Sequence, residues 1–151
     1  MRHEDAPQAE QTRTVILGVA ASDSHVVANH LIAHALRAQG FHVVNLGTCT
    51  PVAEFTEAHA EHPEAEAVII GSLNGHAYED LQELPVARAQ ARAECPVILG
   101  GNLSVGSNKG SADIERLRQL GVDVILSDPE LLPATLDELR ERALARDTVA
   151  S

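Results

Sequence analysis

Aromatic residues are scarce in this sequence: two Phe, one Tyr and no Trp make up 2% of 151 residues, while hydrophobic residues reach 44%. A core must therefore be built from Val, Ile, Leu and Ala. Cations are also few. Eleven Lys and Arg stand against 22 Asp and Glu, a net charge of −11 with His neutral, so no basic stripe is at hand for nucleic acid or an anionic membrane. No apolar run approaches the ~18 residues of a membrane span, and the opening MRHEDAPQAEQTR lacks the apolar centre of a secretion signal. These absences predict a soluble, cytoplasmic protein. Cysteine is limited to Cys49 and Cys95, with no Cys-x-x-Cys spacing and no neighbouring metal ligands. On the fold read below they lie at opposite ends of the sheet, beyond the ~7 Å Cα limit of a disulfide, and are expected as reduced thiols.

What is present is a strict alternation. TVILGVA (14–20), FHVVNLG (41–47), AEAVIIGS (65–72), CPVILGG (95–101) and VDVILS (122–127) are short, β-branched and nearly continuous in apolar character. Such runs suit strands buried on both faces of a parallel sheet. Helical patterns lie between them. HVVANHLIAHALRAQG closes on Gly40 as C′ residue, and TPVAEFTEAHAEH opens with Thr50 as N-cap and Pro51 at the first helical position. The stretch from Tyr78 to Ala93 and the run SADIERLRQLG (111–121) supply two more helices. The last, from about Pro133 to Arg146, carries Leu136, Leu139 and Leu144 on one side.

Five βα units in a chain of single-domain length predict an α/β protein: a flavodoxin-like (Rossmann-type) doubly wound five-stranded parallel sheet, order 2-1-3-4-5. Its domain is expected over residues 13–146, between a disordered N-terminal tail at 1–12 and a polar, frayed C-terminal tail at 147–151. The switch point of this order lies between strands 1 and 3, and ligands bind outside the carboxyl ends of the strands.

The loop ASDSHVV after strand 1 has none of the glycines of a flavin-phosphate cradle. Strand 3 ends in Gly71-Ser72-Leu73, where a phosphoacceptor receiver domain needs an acidic residue. Loops 1 and 3 flank the switch point, so Asp23, His25 and Ser72 should face one crevice, and Gly100-Gly101 after strand 4 lets a large flat group approach the backbone. Two readings of the Asp23–His25 pair remain open here. In one, Asp23 or Ser24 caps the first helix and His25 is a bystander in its first turn. In the other, a neutral His25 ligates a metal through one nitrogen while Asp23 holds the other. A spacing of two does not bring the side chains together on a regular helix, and a helix N-terminus disfavours imidazolium. One imidazole without further protein ligands suits a metal whose other ligands come from a macrocycle.

The remaining histidines divide. His30, His34 and Arg37 read as a polar helix face, solvated or turned to a partner, apart from the stripe of Val27, Leu31 and Ala35. His76, in the loop after strand 3, is a candidate for the ligand pocket or a partner contact, and His3, His42, His59 and His62 read as surface.

Asp23-Ser24-His25-Val26-Val27-Ala28, Ser72-Leu73 and Gly100-Gly101, in that order, resemble the Asp-x-His-x-x-Gly, Ser-x-Leu and Gly-Gly elements of cobalamin-dependent mutases and methyltransferases. The stretches VILGVAASDSHVVANHLI, GFHVVNLG, SLNGH and GGNLSVG are most similar to the cobalamin-binding small subunits of glutamate mutase (methylaspartate mutase), over about residues 14–145. Three positions depart from that pattern: Ala28 replaces the motif's closing glycine, Asn74 a common aromatic residue, and Ser127-Asp128-Pro129-Glu130 a Pro-Gly-Thr turn.

The resemblance implies that His25 binds cobalt axially from the lower face, displacing the cofactor's dimethylbenzimidazole, with Asp23 as its hydrogen-bonded partner. The displaced nucleotide tail would enter the crevice between strands 1 and 3, lined by Ser72, Leu73, Gly100 and Gly101, with Ser22, Ser24, Val26, Val27 and Asn102 as further contacts. It also implies adenosylcobalamin as cofactor and a large barrel-type mutase subunit as partner, in a two-plus-two heterotetramer. The reaction would be the radical rearrangement of glutamate to 3-methylaspartate, with no catalytic residue in this chain and no activity of this chain alone. A corrinoid carrier or a cobalamin-binding module without mutase activity is the alternative; the polar tail ahead of strand 1 is shorter than the helical bundle that methyltransfer carriers place there.

Overall fold

The computed structural model describes residues 12–21, 25–72, 77–92, 94–101, 111–126 and 128–150. Five parallel strands, β1 (Arg13–Val19), β2 (Phe41–Asn45), β3 (Val68–Gly71), β4 (Val97–Gly100) and β5 (Val124–Leu126), form one sheet in the order 2-1-3-4-5. The register sets Ile16 beside Val44 and Val68, and Gly71 beside Val19 and Gly100. Helices cover both faces, so each strand feeds two cores. One contains Ile16, Phe55, Ile70 and Leu99, the other Leu17, Leu36, Ile69 and Leu136. Burial on both sides is why the strands read as continuous apolar runs.

The helices are α1 (Val26–Ala38), α2 (Val52–Glu61), α3 (Ala77–Asp80), α4 (Leu84–Ala91), α5 (Ser111–Gln119) and α6 (Leu132–Ala150). After α1 the chain turns through Gly40 at φ +96°, as the C′ position requires. The start of α2 departs from expectation. Pro51 is the N-cap, with extended backbone, and Thr50 bridges to Ala20, its N–H donating to the Val19 carbonyl at 2.9 Å. Extension of the sheet took the residue that the capping pattern assigned to the helix.

The helix expected from Tyr78 to Ala93 is two helices, with a turn at 81–83. Pro85 sits in the first turn of α4, where its missing N–H goes unneeded, and it cannot donate back to Leu81 to continue α3. In α6, Leu136 is buried and Leu139 packs against the same core, but Leu144 is 55% exposed. Five residues separate Leu139 from Leu144, which turns the latter about 140° around the helix. At the amino edge Arg13 ties sheet to helix: Nε donates to Glu66 at 2.7 Å and Nη1 to Asp137 at 2.6 Å. Both cysteines are free thiols, as expected. No helix among the described residues is long and apolar enough to cross a membrane.

Candidate functional site

The carboxyl edge of the sheet is closed by backbone hydrogen bonds that run past the strand ends. Val19 N–H donates to the Gly47 carbonyl at 2.8 Å, Ala20 to Gly71 at 2.9 Å, Ser72 to Gly100 at 2.8 Å and Gly101 to Leu126 at 3.4 Å. The edge is thus a floor of backbone in which neighbouring strands hold each other's ends. Two glycines in it are not demanded by packing among the described residues. There, a Cβ on Gly71 would meet nothing closer than 3.7 Å, and one on Gly100 nothing closer than 3.5 Å. Both are ordinary contacts. Gly101 is different: its φ of +121° is itself a reason for glycine.

Two buried polar atoms lie near this edge with no hydrogen-bond partner among the described residues: Ser72 Oγ and Asn29 Nδ2. Ser72 is 0% exposed at the end of β3, on one side of the switch point. Its N–H is satisfied while its hydroxyl is not, and an unsatisfied buried group of this kind costs about 1–3 kcal/mol.

His25 occupies the N-cap position of α1 with φ −75° and ψ 85°, and its side chain makes no capping hydrogen bond. The helix therefore begins at Val26, so His25 is not a first-turn residue. His25 is exposed, as are Val26 (46%) and Val27 (72%), so an imidazole and two aliphatic side chains stand in solvent at the head of α1. Ala28, where the motif has glycine, is helical and half-buried, a conformation that needs no glycine.

The remaining motif residues Ser22, Asp23, Ser24, Leu73 and Asn102 lie outside the described residues, as do Asn74, His76 and Ser127. After β5, Asp128 caps a short 3-10 turn, accepting from Glu130 N–H at 2.9 Å.

Other residues meet expectation, depart from it or escaped it. His30, His34 and Arg37 are exposed, as expected of a polar face, and Arg37 also donates to the Val43 carbonyl at 3.3 Å. His59 is not a surface residue: it is half-buried, with Nδ1 3.6 Å from Cys95 Sγ. Burial, then the Arg88 charge, lowers its pKa, and burial pushes the Cys95 thiol up to about 11. This pair belongs to the amino edge, away from His25. No cluster of three metal-ligating side chains occurs among the described residues.

Sequence reasoning missed Asn29 and Asn45. Asn45 Nδ2 donates to Asn29 Oδ1 at 2.8 Å, while Asn45 Oδ1 accepts from Gly47 N–H at 3.0 Å. The only signal was an Asn one helical turn beyond His25 and another at the end of β2.

The B12 binding domain family model matches residues 13–126. The chain belongs to this family. It is similar to glutamate mutase sigma subunit 2 of Haloarcula marismortui, with 41% identity over 121 residues, 78% of this chain and 81% of that one. It is also similar to the glutamate mutase sigma subunit of Clostridium cochlearium, with 31% identity over 138 residues, 91% of this chain and 96% of that one. A cobalamin-binding protein from Desulfitobacterium hafniense has the same fold, at a TM-score of 0.62 and 20% identity, over 88% of this chain and 58% of that one.

Proposed function

We propose that this chain is the cobalamin-carrying subunit of an adenosylcobalamin-dependent carbon-skeleton mutase of the glutamate mutase type. It would act with a separate, large, barrel-type subunit, in a two-plus-two heterotetramer, on the interconversion of glutamate and 3-methylaspartate. The observation that carries this reading is the Ser72 hydroxyl, buried under the carboxyl edge with no partner among the described residues. Such a hydroxyl at the switch point is a group that a ligand there can engage.

The residues present fit a corrinoid. Cobalt in its macrocycle asks the protein for one axial ligand, and His25 is a single imidazole not used in capping its helix. A flat ring with amide arms asks for bare backbone and a few hydrogen-bonding groups. Gly71 and Gly100 supply the first and Ser72 the second. The exposed Val26 and Val27 would lose water when covered by the ring.

In this proposal His25 would hold cobalt through one ring nitrogen, and Asp23 would accept a hydrogen bond from the other, fixing the tautomer and raising the basicity of the ligand. Ser72, Leu73, Gly100 and Gly101 would hold the nucleotide tail, with Ser22, Ser24, Val26, Val27 and Asn102 as further contacts, within a cobalamin-binding domain spanning residues 13–146. When bound, adenosylcobalamin supplies an organic radical by homolysis of its cobalt–carbon bond. This chain contributes binding and orientation only; the residues that touch the amino acid belong to the partner.

Mixing the purified protein with cobalamin should give the absorption spectrum of cofactor whose own base is replaced by imidazole, and His25→Ala should abolish that change. An unchanged spectrum, or equal binding by His25→Ala, refutes the reading. Loss of glutamate should require the large subunit as well as adenosylcobalamin; turnover by this chain alone refutes the division of labour.

A further inference from the structure

We propose that the amide pair of the buried Asn29 and the half-buried Asn45 holds His25 over the carboxyl edge of the sheet, which makes Asn29 a positioning residue for the imidazole. The inference rests on the cobalt-ligand reading of His25. Asn29 lies four residues beyond His25, its N–H donates to the His25 carbonyl at 3.5 Å, and it is 3% exposed. The two residues therefore share a face of the chain at the head of α1.

The orientation of both amides follows from one donor. Gly47 N–H needs an acceptor, so Asn45 must turn its Oδ1 to it and its Nδ2 to Asn29. Asn29 can then offer only Oδ1 to Asn45, which strands its own Nδ2 without a partner among the described residues. Gly47 in turn accepts from Val19 N–H, so the clasp runs from α1 through the end of β2 to the end of β1.

Stability does not account for this arrangement. On α1 the buried residues are Asn29, Ala33 and Leu36, while Val27 (72%) and Leu31 (64%) on the far side are exposed. Hydrophobic burial alone would turn an aliphatic residue inward in place of an amide with a stranded donor. What the amide secures is the rotation and height of the first turn, and with them the place of His25. A ligand imidazole must meet cobalt at bonding distance and along its axis, so small errors in that placement are errors in coordination.

The test uses the full chain loaded with cobalamin whose cobalt is divalent, read by electron paramagnetic resonance, where a coordinated imidazole nitrogen splits the signal. Wild type should show that splitting. Asn29→Leu should lose most of it and bind cobalamin about tenfold more weakly, the scale on which supporting residues affect metal sites, without a lower melting temperature. Asn45→Asp should keep the splitting, because its carboxylate still accepts from Gly47 and the Asn29 amide can turn over to donate Nδ2 to it. Should Asn29→Leu not fold, Asn45→Leu, which unhooks the same bond from the strand side, decides in its place. Wild-type splitting and affinity in the leucine variant, or a fall in melting temperature alone, overturns the positioning role. An absent splitting in the wild type overturns the cobalt-ligand reading itself.

Discussion

Ser72→Ala separates a hydroxyl kept for a ligand from one that serves the fold. In the free chain Ser72 Oγ is buried without a partner among the described residues, and the backbone bond from Ser72 N–H to the Gly100 carbonyl does not involve the side chain. Removing the oxygen therefore breaks no described bond and relieves a desolvation penalty of about 1–3 kcal/mol, less the contacts of one atom. A net gain of about 1 kcal/mol raises the melting temperature of a domain this long by about 3 °C. In the loaded chain the same oxygen has an acceptor or donor on the ligand, so its loss removes about 0.5–1.5 kcal/mol of binding, roughly a two- to tenfold rise in Kd. The two effects carry opposite signs, which truncation of a packing residue does not produce. Differential scanning calorimetry without cofactor and absorbance titration with cobalamin read them separately. A variant that melts about 3 °C lower and binds cobalamin as tightly as wild type refutes the reasoning.

Two further predictions concern Cys95 and His59, at the opposite edge of the sheet. Cys49 is exposed whereas Cys95 is held protonated by burial, with a pKa of about 11; a thiol reagent at pH 8 should titrate one cysteine quickly and the second only on unfolding, and two fast thiols would refute this. His59 has its pKa lowered by burial and by Arg88, so between its folded value and the unfolded value of 6.5 the unfolded chain binds more protons, and stability falls as pH drops through that window. The urea midpoint of His59→Gln should therefore fall less than that of wild type between pH 7.5 and 5.5; an equal fall in both would refute the assignment.

The sheet was legible because one physical cause governs it. Strands covered by helices on both faces must be apolar at every position, and Val15 to Leu17, Val68 to Ile70 and Val97 to Leu99 are all buried. The element boundaries were less legible where two demands fell on one residue. Thr50 suits an N-cap, yet it sits one step past a strand end where a bridge to Ala20 was also available, and the bridge won. Pro85 is compatible with starting a helix or interrupting one, and only the packing of Leu81 and Leu84, both buried, shows that it separates two.

The site was legible where chemistry stands in the residue type and illegible where it depends on rotation. An imidazole in a strand-to-helix loop is visible as a candidate ligand in the sequence, and its N-cap position without a capping bond is what the structure adds. Asn29 is hidden because α1 carries apolar residues on two sides, and nothing in their spacing tells which side faces the sheet. Ala28 shows the same limit from the other direction. As a departure from Asp-x-His-x-x-Gly it suggests a backbone that has lost a needed freedom, but the residue is helical and alanine favours that conformation. Any need for glycine there is thus a need for space on the ligand side, and half-burial leaves the methyl only partly inside the chain's own packing. In a cobalamin-binding subunit that methyl would have to be accommodated by the position of the ring, which is set by the same first turn of α1 that the Asn29–Asn45 clasp holds.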